Sequence, residues 1–107
     1  MQVTDINTLN LNDSEIIEFK LNDKNEIEIL VNLIVDYQSQ DTKPHKITFS
    51  ECRSANLDLN LGYLKPGSIL KGEQKMVDDG FIDYKIETNT TASIIQISAR
   101  KLSLEVL

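Results

Sequence analysis

Residues 26–37 read Glu-Ile-Glu-Ile-Leu-Val-Asn-Leu-Ile-Val-Asp-Tyr, and apolar side chains occupy every second position of this stretch. The alternating residues are Ile27, Ile29, Val31, Leu33, Val35 and Tyr37. Because strand side chains change face at every residue, this period of two predicts a β-strand with one buried face. Leu30 and Ile34 add apolar side chains to the opposite face. We therefore expect the second half of the strand to be covered on both sides, as in a central strand.

The residues just before this strand predict its partner. Residues 17–21 read Ile-Glu-Phe-Lys-Leu, in which apolar side chains again alternate with charged ones. Asn22-Asp23-Lys24-Asn25 lies between the two segments and consists of residues that favour turns. The sequence therefore predicts an antiparallel hairpin, preceded by a polar lead-in segment over residues 1–13.

Two more strands are expected in the middle of the chain. Residues 38–44 are polar and predict a loop, after which Ile47 and Phe49 alternate with polar residues in a strand that ends near Cys52. Residues 55–63 carry Ala, Leu, Leu, Leu and Tyr at alternate positions. This is the clearest two-sided pattern in the chain and predicts a strand with one buried face.

Three turn signals divide the second half of the chain: Lys65-Pro66-Gly67, Asp78-Asp79-Gly80 and Asn89-Thr90-Thr91. Residues 68–77 fit a short edge strand or an irregular crossing loop equally well. Residues 82–86 alternate in the manner of a strand, with Ile, Tyr and Ile on one face.

The final segment changes phase partway along. Its apolar residues alternate as Ile95, Ile97 and Ala99, and then as Leu102, Leu104 and Val106. A slip of one residue moves every following side chain to the other face, so residues 100–101 are expected to form a bulge or a sharp bend.

No segment of ten or more residues shows the 3.6-residue period of a helix. We therefore predict an all-β fold, a single antiparallel β-sandwich or partly open barrel of 6 to 8 strands. A chain of 107 residues is close to the commonest domain size, so residues 1–107 are taken as a single all-β domain.

Composition limits the partners and the compartment. The formal net charge of −6 would repel a phosphate backbone, so nucleic acid is not expected as a partner. Cys52 is the only cysteine, which excludes an intramolecular disulfide. The first residues lack the pattern of a signal peptide, and no apolar run is long enough to cross a membrane. A cytoplasmic protein without membrane contact is the expectation.

Cys52 and His45 are the residues whose side chains could form a nucleophile and its base. They lie at the two ends of the third predicted strand, where seven extended residues separate them by about 23 Å. A Cys-His dyad is therefore not expected. His45 is expected to be exposed or to cap the loop edge, and Cys52 to be a small buried apolar residue.

Three other patterns are also better explained without chemistry. Gly67 and Gly72 have the spacing of a phosphate-binding loop, but Glu and Gln follow where Lys and Ser or Thr are required. Residues 78–83 hold three Asp around a Gly but lack the spacing and terminal Glu of an EF-hand. Glu26 and Glu28 share a strand face, and we expect solvent exposure rather than an acid–base pair. No catalytic residue, metal ligand or cofactor is assigned.

Three short motifs resemble a group of small bacterial β-rich proteins, some of them immunity proteins of polymorphic toxin systems. The motifs are Leu-Asn-Asp-Ser-Glu-Ile at 11–16, Ile-Thr-Phe-Ser at 47–50 and Ile-Ser-Ala-Arg-Lys-Leu-Ser-Leu at 97–104. The group commonly carries His-Asp-Ser in the first motif, whereas this chain has Asn12 at the His position. The resemblance implies a non-enzymatic protein that binds another protein, such as a cognate toxin.

Three functional hypotheses follow from these observations. The first is a non-catalytic protein-binding module, of immunity type if the resemblance holds, and its partner is a protein. The second is a small-ligand-binding β domain with an apolar cavity lined by Tyr63 or Tyr84. The third is a structural or assembly subunit that forms a homo-oligomer through a strand edge.

Overall fold

The computed structural model describes residues 2–9, 11, 13–36, 38–39, 41–58, 69–88 and 93–107. Within these residues the chain forms nine strands in two antiparallel sheets, together with one short 3-10 helix. The all-β prediction is therefore confirmed, and neither sheet closes into a barrel in the described part. The strand number exceeds the predicted 6 to 8 partly because the lead-in segment contributes a strand and the final segment forms two.

The first sheet contains β1 (Gln2–Val3), β2 (Glu15–Leu21), β3 (Ile27–Asp36), β4 (Asp41–Ser50) and β9 (Lys101–Val106). Its strand order is β1-β9-β4-β3-β2. The second sheet contains β5 (Ser54–Asp58), β6 (Ile69–Met76), β7 (Ile82–Thr88) and β8 (Ile94–Ala99), in the order β5-β8-β7-β6. Thus β2 and β5 are both edge strands, one in each sheet.

The predicted hairpin of β2 and β3 is confirmed. The Asn22 side-chain Oδ1 accepts hydrogen bonds from the backbone N–H groups of Lys24 (2.9 Å) and Glu26 (3.1 Å), and Asn25 has a φ of 58°. These features close the turn between the strands. As expected, β3 lies between two other strands, and its outward-facing Leu30 and Ile34 are half-buried.

The predicted face of the first strand is wrong at its beginning. The pairing of β2 with β3 shifts register between Ile16 and Glu18. Because of this irregularity Ile16 is the buried residue, at 1% exposure, whereas Ile17 is 50% exposed. A bulge of this kind moves a side chain to the other face, and the alternation of residues 17–21 alone does not reveal it.

The lead-in segment is not a polar approach to the fold but a part of it. Val3, Ile6, Leu9 and Leu11 are buried, and Ile6 to Leu9 form the 3-10 helix beside β6. Gln74 of β6 fixes this segment, because its Oε1 accepts a hydrogen bond from Ile6 N at 2.6 Å. The segment therefore closes the core over β6.

Part of one predicted loop, and one stretch that had been left open between strand and loop, are strands. β4 begins at Asp41, so residues 41–44 extend the strand that was expected to start near Ile47. Pro44 is tolerated there because the ladder between β4 and β9 begins only at His45. Residues 69–76 form β6, an edge strand, which was one of the two alternatives for that stretch.

The one-residue change in alternation at residues 100–101 marks the point where the chain passes from one sheet to the other. β8 ends at Ala99 in the four-stranded sheet, and β9 begins at Lys101 in the five-stranded sheet. Ala99 and Leu102 are both buried, so the chain keeps its apolar residues inward through the bend. The predicted bend at residues 100–101 is confirmed.

The buried face predicted for residues 55–63 is absent from the part that is described. All five residues of β5 are exposed, and Leu57 retains 44% of its surface. Several other predictions lie outside the described residues: those for Tyr37, for residues 59–63, and for the turns at 65–67 and 89–91.

The core lies between the two sheets. Phe49 of β4 and Tyr84 of β7 meet there with ring centroids 5.1 Å apart, and both rings are buried. The sheets cross rather than run side by side, since β6 begins beside Ser14, just ahead of β2, while β5 lies beside the other end of β2. This crossing leaves an opening between β2 and β5.

Candidate functional site

The opening between β2 and β5 is a cleft of about 520 Å³. Its apolar lining comes from Phe19 and Leu21 of β2, Ile27 of β3, Cys52 from the connection after β4, and Ala55 and Leu57 of β5. Leu21 is 72% exposed, which is unusual for a leucine on the inward face of a strand. Lys20, Asn25, Arg53 and Ser54 complete the lining, so the cleft is a largely apolar surface open to solvent with some polar and basic side chains.

Strand register explains why these side chains are exposed. Leu21 pairs with Ile27 and Phe19 with Ile29, both inward-facing residues of β3. In the other sheet Leu57 pairs with Ile95, which is fully buried. Leu21 and Leu57 thus point toward the core layer, but each belongs to an edge strand and no described strand covers it. Sequence alternation assigned both to a buried face, and it carries no signal for which strand lies at an edge.

Cys52 forms part of the cleft wall. Its thiol donates a hydrogen bond to the Phe49 carbonyl oxygen at 3.1 Å, and the residue is half-buried. Burial raises the pKa of the Cys52 thiol, and nearby Glu26 acts in the same direction. The thiol is therefore held in its protonated, weakly nucleophilic form, as expected for an apolar structural cysteine.

Glu26 and Glu28 are drawn together by Asn22, whose Nδ2 donates hydrogen bonds to Glu26 Oε1 (2.8 Å) and Glu28 Oε2 (3.2 Å). The Asn22 hydrogen bond, followed by one from Ser50, lowers the pKa of Glu26. The Asn22 bond and the Lys46 ammonium lower the pKa of Glu28. A carboxyl that acts as a general acid near neutral pH needs a raised pKa, so this arrangement suits a stable charge network rather than an acid–base pair.

His45 is buried, so exposure, one of the two roles expected for it, is wrong. It retains 7% of its surface on the inward face of β4, opposite Val31 of β3, and its Nδ1 lies 2.8 Å from the Lys43 carbonyl oxygen. His45 alternates with Ile47 and Phe49 and so shares their face, but this signal was missed because residues 41–44 were expected to be a loop. The extended strand from His45 to Ser50 keeps His45 apart from Cys52, so the two do not form a dyad.

The remaining candidate motifs have structural roles. Asp78 lies 3.1 Å from an Arg53 guanidinium nitrogen, in the turn where Asp79 and Gly80 adopt positive φ. A Cβ added at Gly72 would lie 3.2 Å from Leu11, so this glycine accommodates the lead-in segment. Among the described residues no group of three or more His, Cys, Asp or Glu could hold a metal ion.

A second groove, of about 420 Å³, runs along the outer face of the four-stranded sheet. Its wall includes charged residues such as Glu73, Lys75, Asp83 and Lys85. Tyr84 also borders it, but the residue is 2% exposed and its ring packs on Phe49. The described core therefore offers no ligand cavity beside Tyr84, and Tyr63 lies outside the described residues.

No protein-family model matches the chain, and no curated protein gives a significant match. The resemblance to small bacterial immunity proteins stays a prediction. Across the part of the chain that is described, none of the helical structure is long and apolar enough to span a membrane.

Proposed function

We propose that this protein is a non-catalytic protein-binding module whose contact surface is the cleft between β2 and β5. The observation that carries the proposal is the exposure of Leu21 and Leu57 at inward-facing positions. Exposed apolar side chains gathered in one concave place are typical of interaction sites, whereas scattered ones are not. The partner is a protein that inserts one or more apolar side chains into the cleft.

The chemistry of the described residues supports binding over catalysis. The Cys52 thiol has a raised pKa and is hydrogen-bonded, and His45 lies away from it. The carboxylates of Glu26 and Glu28 have lowered pKa values. A nucleophile paired with a base, or a carboxyl with a raised pKa, would be needed for most hydrolytic mechanisms.

An immunity-type role would give the partner a definite identity. If the resemblance in residues 11–16, 47–50 and 97–104 reflects common function, the partner is a cognate toxin. The formal net charge of −6 would then favour encounter with a basic toxin, through long-range steering rather than through affinity in the cleft.

A small apolar ligand is the second candidate, because the cleft volume falls within the range of about 300 to 1,000 Å³ that is typical of small-molecule sites. The open, solvent-facing cleft favours a protein side chain over a ligand that must be largely enclosed. The same variants test both ideas.

The test is affinity capture from a lysate of the source organism with three tagged proteins: wild type, Leu21→Glu and Met76→Glu. Met76 is a matched control because it is 73% exposed, against 72% for Leu21, but it lies on β6, away from the cleft. We expect a stoichiometric protein that is retained by wild type and Met76→Glu and lost with Leu21→Glu.

Equal capture by all three proteins would show that the partner does not use the cleft and would overturn the proposal. If wild type captures no protein but a small apolar compound stabilises it against heat, and Leu21→Glu abolishes that stabilisation, the cleft is a ligand site instead.

A further inference from the structure

β5 lies at one edge of the four-stranded sheet, and its Leu57 also lines the cleft of the proposed function. In the described part of the chain β5 pairs with β8 along one edge only, which leaves its other edge as a row of backbone donors and acceptors. Such an edge readily accepts another strand, and natural proteins block it with charges, bulges, proline or covering segments.

The other described edges carry these protections. β2 has an irregularity at Ile17 and charged side chains at Glu18 and Lys20. β6 is paired at its beginning, where Ile69 N–H donates a hydrogen bond to the Ser14 carbonyl oxygen and Asp13 N–H donates one to the Ile69 carbonyl oxygen, and it also carries Lys71 and Lys75. β1 is only two residues long.

β5 is the least protected of the described edges. Its sequence is Ser-Ala-Asn-Leu-Asp, with no lysine or proline, a regular ladder to β8 and five exposed residues. Asp58 is its only charged residue. Because exposed strand edges are usually protected against pairing, the weak protection of β5 indicates that this edge pairs with another strand.

The side chains of β5 are complementary to a second copy of the same strand. In an antiparallel pair with Asn56 opposite Asn56 of the second copy, Ala55 lies opposite Leu57 and Ser54 lies opposite Asp58. Apolar residues then face apolar ones on the inner face, and the single carboxylate meets a hydroxyl rather than a like charge. We propose that this protein forms a symmetric dimer through its β5 edges.

The symmetry of this pair has a structural consequence. A two-fold axis that relates antiparallel strands of one sheet is perpendicular to that sheet, so the inner faces of both copies point to the same side. The two four-stranded sheets become one of eight strands. Leu57, which is 44% exposed in the single chain, gains a cross-strand apolar neighbour. Because a ladder of five residues is small for a protein interface, the dimer is expected to be weak and dependent on concentration.

Sedimentation equilibrium from micromolar to near-millimolar concentration tests the proposal, with wild type, Asn56→Lys and Gln96→Lys. Asn56→Lys would place two like charges opposite each other at the two-fold axis. Gln96 pairs with Asn56 on the neighbouring strand and is also exposed, so Gln96→Lys adds the same charge away from the edge. We expect wild type and Gln96→Lys to approach twice the chain mass, and Asn56→Lys to dimerise about fivefold more weakly.

Disulfide trapping tests the register independently of affinity, in a Cys52→Ser background that leaves no other thiol. Asn56→Cys should form a covalent dimer on mild oxidation, because the two positions face each other, whereas Ser54→Cys should not. A wild-type protein that stays monomeric over the whole range overturns the dimer. Trapping through position 54 and not 56, or equal dimerisation of wild type, Asn56→Lys and Gln96→Lys, overturns the β5 pairing.

The two proposals can fail separately. Leu21→Glu leaves the β5 edge unchanged and Asn56→Lys leaves Leu21 unchanged. Capture that Leu21→Glu does not reduce therefore overturns the cleft proposal alone, and dimerisation that Asn56→Lys does not weaken overturns the β5 proposal alone.

Discussion

The guanidinium carbon of Arg100 lies 4.3 Å from the centroid of the Phe81 ring. Arg100 occupies the bend between β8 and β9, whereas Phe81 precedes β7. Arg53, just ahead of β5, places its guanidinium carbon 4.4 Å from the same centroid. One half-buried ring therefore connects three segments that carry the chain between or into the sheets.

Phe81→Leu should lower the free energy of unfolding by about 1 to 2 kcal/mol, because it removes two cation–π contacts that are worth about 0.5 to 1 kcal/mol each at exposed sites. Urea unfolding followed by circular dichroism measures the change. Phe19→Leu is the control, since Phe19 is also half-buried but has no guanidinium over its ring among the described contacts. Equal losses in the two variants would show that the arginines contribute nothing beyond burial of the ring.

The lead-in segment can be displaced from the core at one position. Gly72 lies beneath Leu11 and Ile6, and a Cβ there would already approach Leu11 to 3.2 Å. Gly72→Val should therefore destabilise the fold by about 1 to 3 kcal/mol through overpacking. It should also increase amide exchange at Ile6 and Leu9. Glu73→Val is the control, because it adds the same side chain on the outer face of β6.

Unchanged exchange at Ile6 and Leu9 in Gly72→Val would contradict this packing of the lead-in segment. Destabilisation of Glu73→Val by a similar amount would assign the effect to β-propensity or to the lost Lys71–Glu73 ion pair, whose closest atoms are 2.7 Å apart.

The parts of the fold that sequence predicted correctly are those determined by the chain itself. Alternation located β3 and β7, and the loss of phase at residues 100–101 located the bend, because the face of a strand residue depends only on its count along the strand. The bulge at Ile17 and the burial of Ile6 and Leu9 depend instead on contacts with β3 and β6. Such contacts between distant segments leave no periodic signal.

The candidate site was not predictable for the same reason. Alternation in the sequence assigned Leu21 and Leu57 to the buried faces of their strands. Their exposure follows instead from the positions of β2 and β5 at the edges of two crossing sheets. Strand order is a property of the whole sheet. Of the two candidates that the sequence did single out, His45 is buried on the inward face of β4, whereas Cys52 is half-buried in the cleft wall.

The two carboxylates beside Asn22 predict a response to acid. Hydrogen bonds from Asn22 to both carboxyls, then from Ser50 to Glu26 and from Lys46 to Glu28, lower the pKa of Glu26 and Glu28 below the ordinary range of a glutamate. A carboxyl whose pKa is lower in the folded chain stabilises the fold when ionised. Its contribution is fully present above the unfolded pKa and is lost as the pH falls through the folded pKa.

Asn22→Asp should raise the pKa of both carboxyls, because it replaces the shared donor with a like charge while keeping an acceptor for the turn. Carboxyl chemical shifts followed by NMR titration measure both values. Stability of the variant should begin to fall at a higher pH than that of wild type. Gln96→Glu adds one negative charge on the other sheet and should leave both pKa values unchanged. Unaltered titration in Asn22→Asp would show that Asn22 does not bind the two carboxylates in solution.

Cys52 gives a chemical readout of the cleft wall. Because burial raises the pKa of its thiol and Phe49 accepts its hydrogen bond, native Cys52 should react with an alkylating reagent several times more slowly than an exposed thiol. Ser39→Cys in a Cys52→Ser background supplies that exposed thiol, so that each of the two proteins has a single cysteine. The rate for Cys52 should still rise with pH where the rate for the control has levelled off.

If the two rates coincide, solvent reaches the sulfur freely, and the cleft wall at Cys52 is more open than the packing indicates. A protein bound in the cleft should slow the reaction of Cys52 further and leave the control unaffected.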